Sequence, residues 1–166
     1  MNLHDLKKIM PDIFDKVKKD VRNVYNRHRA GLSLGLVEMG MFQQGFIGGM
    51  HFHPGTEIVM NKTPLKLILE TQPPEVVWAY TYHILLHEYI HSLGVINEHQ
   101  CREITLKITE DTFKDSGHPA IILAKKGIGA YLPELKMLYI PPEQKPEGMT
   151  IEYVYGFDRE SQTYFS

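Results

Sequence analysis

Apolar and polar positions alternate at helical spacing in the first part of the chain. The pattern begins at Pro11 or Asp12 and continues to about His28, with an apolar face formed by Ile13, Phe14, Val17, Val21 and Val24. This spacing predicts an amphipathic helix. Shorter apolar runs then predict strands at residues 32–39, 45–52 and 56–60, a turn at residues 61–64, and a short strand or helix at residues 65–69.

The most apolar helical stretch follows Pro73 and Pro74 and is predicted to begin at Glu75. Its apolar residues lie on every side, which predicts a buried helix. A second helix is predicted at residues 98–113, because Asn97 and Gln100 form a capping-box pattern before it. A short helix is predicted at residues 120–126. Strands followed by helices indicate an α+β fold, with one domain over residues 1–166.

Composition and charge narrow the class of protein. The chain is 43% hydrophobic and 23% charged, with a net charge of −2, which offers no electrostatic reason to expect nucleic-acid binding. The single Cys101 excludes an intrachain disulfide and fits a reducing compartment. The first residues lack the apolar core of a signal peptide, and no apolar run is long enough to cross a membrane. We therefore expect a cytoplasmic protein with no membrane partner; the pattern leaves its oligomeric state open.

The segment His87-Glu88-Tyr89-Ile90-His91 has the form H-E-x-x-H and lies within the apolar helix. Four residues advance a helix by about 400°, so both imidazoles point to one face, roughly one turn apart. Two histidines so placed can bind one zinc ion, and Glu88 is placed to take a proton from a metal-bound water. Burial without partners costs about 1–3 kcal/mol per polar group. A metal site therefore explains these residues better than a surface helix does.

A third ligand is expected after Gly94, which is predicted to end the helix in a left-handed conformation. On an unbroken helix Glu98 would lie about 10 Å along the axis from His91, so the chain must turn back. The candidates are Glu98 and His99, because the amide of Asn97 is a poor zinc ligand. We favour His99, since imidazole is the commoner ligand. Glu98, the alternative, would complete a set of two histidines and a carboxylate.

The thirteen residues from His87 to His99 resemble the HExxH zincin superfamily of metallopeptidases, with the glycine of the metzincin form H-E-x-x-H-x-x-G-x-x-H. The metzincin third histidine would fall at Asn97, where the chain departs from that form. The resemblance implies a zincin-like fold, in which a small mixed sheet accompanies a metal-binding helix and a backing helix. It also implies Zn²⁺ as cofactor, a peptide or protein substrate, and Glu88 as general base. An upstream strand would pair with the substrate, and residues 57–60 are our candidate.

Downstream of the motif, four residues are weaker candidates for the same site. Metzincins place a methionine turn beneath the metal, and Met137 or Met149 is placed to form one, although core packing is favoured for both. Tyr131 and Tyr139 are candidate donors to the oxyanion of the reaction, although tyrosines are also common in packed segments.

Two further residues lie close to the motif in the sequence. His83 precedes His87 by four residues, and a partly buried histidine is favoured over a cleft-lining one. Cys101 follows His99 closely, and a small buried residue is favoured over a thiol near the metal.

Two other functional classes stay open. Gly45, His51, His53 and Glu57 reproduce the first half of the cupin metal motif, G-x5-H-x-H-x3-E, although Pro64 stands where its final glycine should be. A cupin-like metalloenzyme using His51 and His53 is therefore one alternative, and a plain strand and turn is favoured over it. The other is a zincin-fold metal-binding or interaction module without peptidase activity.

Overall fold

In the computed structural model the chain has an α+β fold. The structure describes residues 1–41, 45–52, 54–138 and 150–162. The helices are α1 (Leu3–Tyr25), α2 (Lys62–Thr71), α3 (Pro74–Ser92), α4 (Glu98–Phe113), α5 (Pro119–Lys126) and α6 (Arg159–Gln162), with a 3₁₀ turn at Ile128–Ala130. The strands are β1 (Ser33–Val37), β2 (Phe46–Ile47), β3 (Gly49–His51), β4 (Glu57–Asn61), β5 (Met137–Leu138) and β6 (Glu152–Tyr153).

Helix α1 begins well before the predicted start at Pro11 or Asp12, so that prediction was wrong. The side chain of Asn2 accepts a hydrogen bond from the Asp5 amide at 2.8 Å and caps the helix at its first residue. Leu6 and Met10, both fully buried, extend the apolar face toward the N-terminus. Burial of that face outweighs the hydrogen bond that Pro11 cannot donate inside the helix.

The main sheet has the strand order β3-β4-β1-β6. Strand β4 pairs in parallel with β1 and antiparallel with β3, while β6 pairs antiparallel with β1. The single strand predicted at residues 45–52 is instead two short strands separated at Gly48, and β2 pairs in parallel with β5. The sheet is therefore small and mixed, and among the described strands β3 and β6 lie at its edges.

Helix α2 begins where the sequence predicts a turn at residues 61–64. The Asn61 side chain accepts a hydrogen bond from the Thr63 amide at 3.0 Å and donates to the carbonyls of Gly40 and Ile47. A buried asparagine with all these partners caps a helix well. The turn prediction was therefore wrong, and the helical alternative for residues 65–69 is confirmed in a longer helix.

Helix α3 lies at the centre of the molecule. It packs against α1, α4, α5 and β3, and every residue from Ala79 to Ser92 is buried, which confirms the burial predicted from its composition. Helix α4 has the predicted bounds, and α3 and α5 each begin one residue earlier than predicted. Within the described residues, no helix has both the length and the apolarity needed to cross a membrane.

The C-terminal segment is tied to α1 by a buried ion pair. Lys18 Nζ lies 2.8 Å from Asp158 Oδ1, with 4% and 0% of the two side chains exposed. The other carboxylate oxygen of Asp158 accepts hydrogen bonds from the amides of Gly31 and Leu32 at 2.9 and 3.2 Å. One carboxylate thus connects α1, the start of β1 and the C-terminal segment. Sequence patterns did not predict this contact.

Candidate metal centre

Two histidine side chains lie on one face of α3, inside the protein. His87 is 1% and His91 2% exposed, and their ring centroids are 4.9 Å apart. This is the spacing that positions i and i+4 of a helix provide. The helix holds both rings rigidly, because it is packed on all sides.

A turn after α3 brings a carboxylate to these rings. Gly94 has a φ of +102°, which favours glycine, and it reverses the chain before α4. The Asn97 side chain then accepts a hydrogen bond from the Gln100 amide at 2.9 Å and caps α4. Glu98 is the first residue of α4, so its carboxylate is directed back toward α3.

The Glu98 carboxylate contacts both histidines. Its Oε1 lies 2.5 Å from His91 Nε2, and its Oε2 lies 3.2 Å from His87 Nε2. Burial alone would raise the pKa of Glu98, but the hydrogen bonds with His87 and His91 lower it to about 2. Three potential metal ligands from two helices therefore meet at one point.

His99, the third ligand favoured from the sequence, is not brought to this point. Its side chain is 82% exposed, and its Nε2 lies 2.8 Å from Oε1 of Glu103. Neighbouring residues on a helix point about 100° apart, so Glu98 and His99 cannot both face α3. The preference for His99 is therefore corrected: of the two candidates, Glu98 is the one that faces the histidines.

The second nitrogen of His91 orients the ring. Nδ1 lies 2.6 Å from the carbonyl oxygen of Val95, in the turn after α3. A carbonyl accepts only, so Nδ1 carries the proton and donates it, which leaves Nε2 as the atom that faces Glu98. Metal-binding histidines are commonly oriented by such a bond. The sequence analysis did not identify Val95, because every residue has a backbone carbonyl and the residue type does not indicate which one accepts a hydrogen bond.

Two donor distances can be compared with those of a tetrahedral metal site. Two ligands at zinc distances of about 2.0–2.1 Å in a tetrahedral arrangement lie about 3.3 Å apart, close to the 3.2 Å between Glu98 and His87. The 2.5 Å contact with His91 is shorter and would have to widen. Burial opposes a charge on His91, but hydrogen bonding to Glu98 and the nearby Glu88 raise its pKa. These carboxylates attract a cation, whether a proton or a metal.

Glu88 lies beside these ligands and is almost completely buried, at 4% exposure. Burial raises the pKa of its carboxyl group, although the nearby His87 and His91 oppose that effect. A carboxylate with a raised pKa accepts protons more readily near neutral pH. Glu88 is therefore a buried carboxyl group next in sequence to the first candidate ligand.

Cys101 lies on the other helix of the same cluster. Its thiol is fully buried and donates a hydrogen bond to the carbonyl of His87 at 3.3 Å. Potential ligand atoms of His87, His91 and Cys101 lie within 4.8 Å of one another. Burial raises the pKa of this thiol, and only the thiolate binds a metal well. Cys101 is thus both buried and close to the histidines. Together with His87 and His91 it forms a second possible set of metal donors.

Strand β3 lies close to Glu88. A methyl group added at Gly49 would lie 3.5 Å from Cγ of Glu88. The sequence instead favoured residues 57–60 as the strand that would pair with a substrate. That prediction was wrong, because these residues lie in β4, which is hydrogen-bonded to β1 and β3 on both sides. The edge strand here is β3.

We expect Gly49→Ala to destabilise the protein by about 1–3 kcal/mol, the usual cost of overpacking. The added carbon would lie 2.7 Å from Cγ2 of Ile84 and 3.0 Å from the carbonyl oxygen of Val59. Thermal unfolding followed by circular dichroism measures the effect. Gly117→Ala is the matched control, since its nearest contact would be 3.4 Å away. Equal melting temperatures for the two variants would contradict the close approach of β3 to α3.

The structure describes only part of the cupin-type motif. His51 lies in β3, and its Nε2 is 2.8 Å from the carbonyl oxygen of Gly55 in the following turn. Glu57 accepts a hydrogen bond from the Tyr153 hydroxyl at 2.8 Å. His53 lies outside the described residues. His51 is therefore hydrogen-bonded within a turn, and Glu57 is hydrogen-bonded to a residue of another strand.

The remaining candidates lie around the cluster or outside the described residues. Met137 is in β5 and is packed against the core, and Tyr131 is half-buried against the same core. Met149 and Tyr139 lie outside the described residues. His83 is 6% exposed, and its ring centroid is 6.4 Å from that of His87.

Comparison with known proteins found no match, so a functional assignment depends on the geometry of this site. The chain matches no protein-family model, no curated protein and no solved structure.

Proposed function

We propose that this protein is a zinc-dependent peptidase, with His87, His91 and Glu98 as zinc ligands and Glu88 as general base. The observation that supports it best is the Glu98 carboxylate, which contacts Nε2 of both histidines from the neighbouring helix. Two histidines and a carboxylate are a known ligand set of catalytic zinc. A zincin-like arrangement of metal-binding helix and backing helix belongs to this proposal.

When bound, zinc would supply a Lewis acid that polarises a carbonyl group and makes water more acidic. Glu88 then accepts the proton of the water that attacks the peptide carbonyl. The same carboxyl group donates this proton to the leaving amine as the peptide bond breaks. Its burial keeps bulk water from competing for the proton.

The substrate would lie along β3. This strand is the edge of the sheet on the side of Glu88, and an extended peptide can add to an edge strand through backbone hydrogen bonds. Gly48 and Gly49 carry no side chains, which allows close approach to α3. The buried, unpaired Cys101 supports a reducing compartment, and we place the protein in the cytoplasm.

A metal-binding module without peptidase activity is the second candidate. The closeness of Cys101 to both histidines favours it. A cysteine in addition to His87 and His91 would move the metal toward a closed, structural coordination. Such a site leaves no coordination position for water, and it gives Glu88 no role.

The metal content of purified variants tests the proposal. We expect about one zinc per chain in the wild type, most of it lost in His87→Ala and in Glu98→Ala. His99→Ala is the matched control and should keep its zinc, since that side chain faces solvent. Elemental analysis after purification without chelator measures this. Retention of zinc in Glu98→Ala together with its loss in Cys101→Ala would instead support the structural metal site.

A further inference from the structure

A cavity of about 310 Å³ lies between α3, α4, α5 and the segment that follows α5. It is large enough for one amino-acid side chain with its backbone, at the lower end of the range of ligand pockets. His83 lines it from α3, and Arg102 from α4. The cavity takes no part in the proposed chemistry of the metal centre.

The charged residues around this cavity are all basic: Arg102, Lys125, Lys126 and Lys136. No aspartate or glutamate is among the described residues that line it. Lys125 is paired with Glu110 at 3.3 Å. Lys126 and Lys136 have no carboxylate partner within residues 1–41, 45–52, 54–138 and 150–162. The charged residues of the lining therefore favour an anion over a cation.

His83 adds a buried polar group to the wall. It is 6% exposed, and its Nδ1 has no hydrogen-bond partner in the described part of the chain. Such a group is destabilising until it finds a partner. Burial lowers the pKa of His83 to about 3, so the neutral ring has one N–H to donate. His83 lines the cavity, so its neutral ring can donate that N–H to a ligand oxygen bound there.

The cavity lies one helical turn from the metal centre. The His83 and His87 rings are 6.4 Å apart on the same helix. On the opposite wall, Met137 lies next to Gly48, because a methyl group added there would be 2.8 Å from its Sδ. Gly48 directly precedes β3, which approaches Glu88 at Gly49. Met137 thus connects the cavity wall to the segment before β3, and the cavity lies near that end of the strand.

We infer that this cavity binds a carboxylate of the peptide substrate, an inference that rests on the proposed peptidase function. Lysine ammonium groups and a neutral imidazole N–H are all donors, which is what a carboxylate requires. Peptides present this group in two forms: the free C-terminal carboxylate and the side chain of Asp or Glu. Both have the same chemistry, and the experiment separates them.

Binding is tested without reference to catalysis. N-acetyl-alanine carries only an α-carboxylate, and N-acetyl-glutamic acid α-amide carries only a side-chain carboxylate. Their neutral partners are N-acetyl-alaninamide and N-acetyl-glutamine α-amide. We expect one or both acids, and neither amide, to shift the NMR signals of the Gly127 and Gly129 backbone amides, which line the cavity. The acid that binds more tightly identifies the source of the carboxylate.

Charge-removing variants test whether the cavity residues are responsible. Lys126→Ser with Lys136→Ser should weaken binding about fourfold, since each exposed charge contact contributes a factor of about two. Lys8→Ser with Lys107→Ser removes the same charge from other exposed positions and should leave binding unchanged. Equal weakening in both double variants would overturn the inference. Tighter binding of inorganic phosphate than of either acid would overturn it too.

Kinetics then connects the cavity to the peptidase. The Lys126 and Lys136 double variant should raise KM about fourfold for a carboxylate-bearing peptide, with kcat and zinc content unchanged, and should leave KM for its amide unchanged. Wild-type protein that contains zinc and hydrolyses peptides but binds no acid probe would refute the cavity inference alone. Wild-type protein without zinc would refute the proposed function, and the substrate role of the cavity with it.

Discussion

Glu88→Gln is expected to lower peptide hydrolysis by about 10²–10⁴-fold, the usual contribution of a general base, while the zinc content stays at the wild-type level. Glutamine has nearly the volume of glutamate, so it leaves no void in this buried position. An amide cannot accept the proton of the attacking water. Hydrolysis of a mixed peptide library, followed by mass spectrometry, measures the loss.

Controls for Glu88→Gln separate catalysis from metal binding. Glu98→Gln should lose both zinc and activity, because its carboxylate contacts both histidines. Glu103→Gln changes an exposed carboxylate on the same helix as Glu98 and should keep both. Wild-type turnover in Glu88→Gln would remove this residue from the mechanism. Zinc-loaded wild-type protein that hydrolyses no peptide of the library would instead favour the metal-binding module.

Asp158→Ala should destabilise the protein by about 3–5 kcal/mol, because it leaves the buried Lys18 without its main partner. Lys18 keeps its contact with the half-exposed Glu160 at 2.9 Å, which places the expected loss toward the lower end. The amides of Gly31 and Leu32 also lose their acceptor. Urea unfolding measures the loss. Asp111→Ala breaks an exposed pair with Lys107, and as the control it should cost under about 1 kcal/mol.

The same pair contributes to the change of stability with pH. Burial alone would raise the pKa of Asp158, but hydrogen bonds from Lys18 and the Leu32 amide lower it. The folded pKa thus lies below the unfolded value, so this stabilisation is present above the ordinary carboxyl range and is lost as pH falls through the folded pKa. Asp158→Ala should therefore reduce the loss of stability in acid. An unchanged acid profile in this variant would show that the pair contributes little.

The histidine pair and its helix follow from local sequence. H-E-x-x-H in an apolar run predicts two imidazoles on one buried helical face, and the structure has them there. Gly94 and Asn97 are capping residues, so the turn and the start of α4 follow from local sequence as well. Glu98 and His99 are different: they are neighbours, and the sequence preference between them rested on ligand frequency.

The strands show a similar division. Apolar runs located β1 and β4 to within a few residues. Their order in the sheet depends on which strands pair, and period-two patterning carries no information about that. Residues 57–60 therefore looked suitable for an edge strand, whereas pairing with β1 and β3 places them in the middle.

What the sequence by itself determined is the set of local features: a buried helix with two histidines, the glycine turn after it, the capped backing helix and an α+β order of elements. Each depends on residues within a few positions of one another, where periodicity and capping act. The tertiary structure decided that Glu98 faces the histidines, that β4 is central and that Lys18 meets Asp158 across 140 residues. These outcomes depend on how helices and strands pack, because packing joins residues that are distant in the chain, and local patterns do not encode such distances.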